Sequence, residues 1–111
     1  MENEKFRIDY NYTTIFDKDR NYRTDWSKKI NSFVFNYNSN GDIAHYKSSG
    51  EMVLLRKLSE IEEGFDDNNE HYQSITVLDS QGNKCILQVF DKTSIGLKII
   101  YSNLRREFAN K

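Results

Sequence analysis

Residues 36–51 read Asn-Tyr-Asn-Ser-Asn-Gly-Asp-Ile-Ala-His-Tyr-Lys-Ser-Ser-Gly-Glu. Oxygen-bearing side chains at alternate positions, a Gly at the sixth and an Ile at the eighth imitate a calcium-binding loop. Such a loop needs a carboxylate first and a bidentate Glu twelfth, whereas Asn36 and Lys47 occupy those places. The stretch reads better as two turns flanking a strand. Asn38-Ser39-Asn40-Gly41-Asp42 and Lys47-Ser48-Ser49-Gly50-Glu51 share a pattern that returns at Asp79-Ser80-Gln81-Gly82-Asn83. Small polar residues bond local amides, and the Gly that follows accepts the positive φ of a type I hairpin turn. No metal or cofactor site is expected here.

The flanking sequence agrees with hairpins. Ile30, Phe33, Phe35 and Tyr37 fall mostly on alternate positions before the first turn, and Ile43 and His45 oppose Ala44 and Tyr46 after it. Tyr72, Ile75, Val77 and Leu78 run into the third turn, Cys85 to Phe90 leave it, and Leu97, Ile99 and Tyr101 alternate beyond. Near the start, Phe6, Ile8, Tyr10 and Tyr12 alternate with Arg7, Asp9 and Asn11. The expectation is a mainly β fold, six or seven consecutive antiparallel strands curling into a small barrel or half-barrel.

Two segments carry a helical alternative. Leu54, Leu55, Leu58 and Ile61 would share a helical face within 51–63, giving an α+β fold. The hairpin pattern of 47–51 and the acidic residues crowding the far end favour a strand over 52–58 instead. Leu104 and Phe108, four apart, predict a short C-terminal helix over 102–110. Residues 17–29 show no periodicity and are read as a long loop, and 62–71 as a solvated one.

The length, 111 residues, bounds the chain to one domain, 1–111. The hydrophobic fraction is only 37%, so seven Phe and seven Tyr must supply much of the core. Sixteen basic against seventeen acidic residues, net charge -1, exclude binding driven by overall charge. Cys85, the single cysteine, sits in an apolar run and is read as a buried thiol of a reducing compartment. The opening residues lack the pattern of a secretory leader, and no stretch is long enough to span a bilayer. A cytoplasmic protein without membrane partners is therefore expected.

No nucleophile motif or phosphate-cradling Gly loop is present, and an enzyme is not expected. His71, beside Glu70 and near Asp66 and Asp67, is read as part of a solvated loop rather than as a metal or acid-base centre. Charge is nevertheless segregated. Glu60, Glu62, Glu63, Asp66, Asp67 and Glu70 follow one another with no basic residue between them, a segment suited to a protein partner with a basic surface. Arg20, Tyr22, Arg23, Trp26, Lys28 and Lys29 interleave charge and aromatics, as contact with RNA or another partner requires.

The leading expectation is a small non-enzymatic protein-binding module, an inhibitor or immunity-type factor acting on a larger protein or nucleoprotein. The Asn-, Lys- and Ile-rich composition associates it with an AT-rich bacterial or phage genome. The expected shape is similar in outline to lipocalin-like proteins, although their signature motifs are missing. That resemblance implies the alternative of a carrier for a small apolar ligand, and an RNA-binding accessory protein is the third reading.

Overall fold

The computed structural model describes residues 4–111. Ten strands follow in chain order: β1 (Phe6–Asp17), β2 (Tyr22–Arg23), β3 (Ser27–Phe35), β4 (Ile43–Tyr46), β5 (Met52–Lys57), β6 (Glu62–Phe65), β7 (His71–Leu78), β8 (Lys84–Phe90), β9 (Leu97–Ile100) and β10 (Leu104–Ala109). Eight of them, all but β2 and β6, form a closed antiparallel barrel in the order β1-β3-β4-β5-β7-β8-β9-β10, because β10 pairs back onto β1. The mainly β expectation holds.

The three Gly turns form as the sequence predicts. The amides of Gly41, Gly50 and Gly82 donate to the carbonyls of Asn38, Lys47 and Asp79, and each Gly has positive φ. Asn38 Oδ1 accepts from the amides of Asn40 and Asp42, so the side chains that imitate calcium ligands serve the turn. The segment after Glu51 is a strand, as favoured, and the helix over 51–63 does not form.

The predicted C-terminal helix is also absent, and no helix occurs among the described residues. Residues 104–109 are β10, whose register runs from Leu104 opposite Asp17 to Ala109 opposite Tyr12. The spacing of Leu104 and Phe108 satisfies a strand as well as a helix, and the backbone bonds offered by β1 and β9 decide the matter. Residues 17–29 are not one long loop: β1 continues to Asp17, turns through Asn21 at φ 49° and pairs with β2 before β3 begins. Residues 62–71 likewise contain β6 and a hairpin turn. There the amide of Asn69 donates to the carbonyl of Asp66, with Asn69 at φ 62° in the place a Gly fills elsewhere.

Aromatic side chains fill the barrel axis. Phe33 stacks on His45 at 4.3 Å between ring centroids and meets Phe108 edge-on at 5.1 Å, while Tyr10, Phe35, Leu87 and Leu97 close the layers around them. Closure depends on β1 serving two neighbours. Its first half pairs with β3, its second half with β10, and Tyr12 faces both Lys28 and Ala109. Opposite Asn11, β3 carries two residues, Lys29 and Ile30, a bulge that turns the barrel wall. Asn110 latches the seam: its Oδ1 accepts from the Asn11 amide and its Nδ2 donates to the Asp9 carbonyl.

Candidate functional site

Because the strands alternate in direction, their connections fall into two sets. The turns at 18–21, 47–51, 79–83 and 101–103 rim one end, called upper here. The turns at 37–42, 66–70 and 91–96 rim the lower end. The acidic segment belongs entirely to the lower end, carried there by β6, which pairs with β7 from Glu62 opposite Ser74 to Phe65 opposite His71.

Its six carboxylates are not equivalent. Asp66 Oδ1 accepts from the amides of Asn68 and Glu70 and so builds the turn. Glu70 takes a 2.8 Å bond from Lys92, and Glu63 lies 3.2 Å from His71 Nε2. His71 Nδ1 is 2.8 Å from Asp91, which adds a further carboxylate to the same end. Among the described residues, no group of three or more His, Cys, Asp or Glu side chains converges as metal ligands. Glu60 approaches Lys57 only to 3.9 Å and is nearly fully exposed, while Glu62 and Asp67 stand in solvent. Among the described residues, Glu60, Glu62 and Asp67 are thus presented outward with no partner closer than 3.9 Å, Glu63 is exposed but reaches His71, and Asp66 and Glu70 hold the platform.

Two features of this platform go beyond its charge. β6 has β7 as its single strand neighbour among the described residues, so its other edge presents backbone groups that no sheet partner satisfies. Phe65 on β6, tilted against His71, and Leu58, four residues before the strand, are 62% and 47% exposed. Neither the edge nor these two apolar side chains was legible as a site in the sequence. Asn69 substituting for Gly hid the hairpin that creates them.

The basic-aromatic segment is taken apart by the fold. Arg23 donates to Glu107 Oε2 at 2.9 Å and lies over the rings of Phe16 and Trp26. Glu107 is buried, which by itself pushes its carboxyl up, but hydrogen bonds and charge from Arg23 and Arg105 outweigh burial and hold it below its ordinary value. Lys111 sits 4.3 Å from the Trp26 ring centre, so two cations already occupy that indole. Arg20 is exposed beside Asp17 and Tyr22 is exposed on the short β2. Lys28 and Lys29, adjacent in sequence, part company: Lys29 lines the upper opening of the barrel and Lys28 does not. Of these six residues, Arg23 and Trp26 are thus already engaged within the fold.

Among the described residues no helix is long and apolar enough to cross a membrane. No protein-family model, curated protein or solved structure matches the chain.

Proposed function

We propose that this protein is a non-enzymatic binding module of inhibitor or immunity type, which docks its acidic lower end on a basic surface of a larger protein. The observation that supports the reading is that the acidic segment runs through an edge strand, with Phe65 on it and Leu58 before it both exposed. Carboxylates steer a basic partner and fix its register, and the apolar pair supplies burial. The free edge of β6 accepts an extended segment of that partner by strand addition. The barrel axis is occupied by Phe33, Phe35 and Leu87, which lends no support to an apolar carrier. The commitment of Arg23 and Trp26 within the fold likewise gives little support to RNA contact through that segment.

The test replaces Glu60, Glu62 and Asp67 by Lys, leaving Asp66, Glu63 and Glu70 to keep the turn and its ion pairs. Proteins captured from the host by the parent chain are identified, purified and titrated against both forms. A basic partner whose affinity falls at least tenfold with the triple variant supports the reading. A partner bound equally by both forms sinks the acidic-end version.

A further inference from the structure

At the upper end three of the strands exchange apolar inward residues for polar and charged ones, beside the apolar Ile15, Val53 and Ile99. Following β3 upward, Phe35 and Phe33 give way to Asn31 and Lys29; along β4, Ile43 leads through His45 to Lys47; along β10, Phe108 is followed toward the rim by Arg106. These three walls enclose a cleft of about 280 Å³, close to the lower size limit of small-molecule sites. Its rim also carries the hydroxyl side chains of Ser27, Ser48 and Ser49, and no carboxylate lines it. A second cleft of about 120 Å³ shares His45, Lys47 and Arg106 with the first, so Arg106 stands between the two.

Three cations on convergent positions repel one another unless counter-charge is near. Lys47 has a loose partner in Glu51 at 3.4 Å. Lys29 and Arg106 make no ion pair among the described residues, although the surface as a whole is rich in acids. Buried Glu107, by contrast, is paired with both Arg23 and Arg105. The floor of the cleft is neutral: His45, stacked on Phe33, bonds Asn31 Oδ1 at 2.9 Å, and Phe108 lies edge-on beside it.

We propose that this upper cleft binds a small phosphate-bearing molecule, its phosphate held by Arg106, Lys29 and Lys47 and by the rim hydroxyls, and its remainder lying toward His45 and Phe108. The guanidinium supplies a planar fork of donors and each ammonium a point charge, the combination that recognises phosphate oxygens. Lys47 exchanges Glu51 for the ligand on binding. The site lies at the opposite end from the acidic platform and does not depend on it.

The electrostatics supply an independent probe of occupancy. Burial and then the charges of Lys47 and Arg106 hold the His45 imidazole down at about 4. An anion bound to those two cations cancels their share, so the imidazole titrates higher when the cleft is filled.

The experiment titrates the full chain with inorganic phosphate, pyrophosphate and ribose 5-phosphate, with chloride at matched ionic strength as control. Binding is read by calorimetry and His45 by NMR. Saturable binding of at least one probe, an upward move of the His45 titration, and about a tenfold loss of affinity in each of Arg106→Gln and Lys29→Gln are expected. Glu51→Gln frees Lys47 and tightens binding. All three positions lie at the rim, so thermal melts report that the variants remain folded. No binding of any probe at millimolar concentration, or equal affinity in parent and Arg106→Gln, overturns the proposal. A gel shift with polyuridine lost in Arg106→Gln, without small-molecule binding, overturns it in favour of a polymer. Unchanged phosphate binding in the Glu60, Glu62 and Asp67 to Lys variant separates this site from the acidic platform.

Discussion

His45 shows how one residue ties the core to the rim. Its ring is an aromatic layer against Phe33 on one side and a hydrogen-bonding group toward Asn31 on the other. Sequence reading places it on a strand; the fold buries it, and Asn31 on the neighbouring strand takes up its polarity. The folded imidazole titrates at about 4 against an ordinary value of 6.5. Above pH 6.5 neither state is protonated there and the neutral ring contributes its full stability. As pH falls toward 4, the unfolded chain takes up the proton first, and the molecule loses about 3 kcal/mol by this group alone. Urea unfolding across that range checks this, with His45→Gln expected to flatten the slope relative to the parent while keeping a donor for Asn31. Arg106 is the other instructive residue. It stands between Leu104 and Phe108, where strand alternation calls for an apolar side chain, and without one there only the four-residue spacing of those two is legible, which reads as helical. The departure from pattern falls on the rim cleft, where local rules give way to a charged lining.

At the scale of elements, the turns hold the barrel in register, and their glycines divide by what surrounds them. Gly82 has φ +82° and open space where a Cβ would project, while Gly96 has φ +88° and a Cβ there would lie 1.8 Å from the Phe108 carbonyl oxygen. Gly82→Ala is expected to cost about 1 kcal/mol from the left-handed backbone alone. Gly96→Ala should cost at least about 3 kcal/mol, since β10 must also move away from the turn before β9. Chemical denaturation of the two variants side by side makes the comparison. These turns also mark the limit of what the sequence discloses. Where Gly takes the left-handed position, the hairpins at 38–42, 47–51 and 79–83 are legible; where Asn takes it, at Asn21 and Asn69, they are not, because Asn is equally at home in unstructured loops. The acidic segment was therefore legible as charge but not as an edge strand. Pairing of β1 with β10 is a contact between distant parts of the chain that no local pattern announces.

For the whole molecule, a net charge of -1 conceals polarity along the barrel axis. The lower end gathers the carboxylates from Glu60 to Glu70 with Asp91, and the upper end opens onto Lys29, Lys47 and Arg106. A chain this close to neutrality is nonetheless expected to bind both anion- and cation-exchange resins at low ionic strength and to leave both by about 0.15 M salt, where screening acts within roughly 8 Å. Retention on the anion exchanger should weaken in the Glu60, Glu62 and Asp67 to Lys variant, and retention on the cation exchanger in Arg106→Gln. The seam between β1 and β10 fixes when, during synthesis, the barrel can close. Thr13 bonds the carbonyl of Glu107 across 94 residues, and the Asn11 amide reaches Asn110 across 99. At ribosomal speeds the far half of β1 waits on the order of ten seconds for its partner strand to be synthesised. The barrel accordingly closes after β10 has left the exit tunnel, and a nascent chain stalled before it carries an open sheet edge along β1.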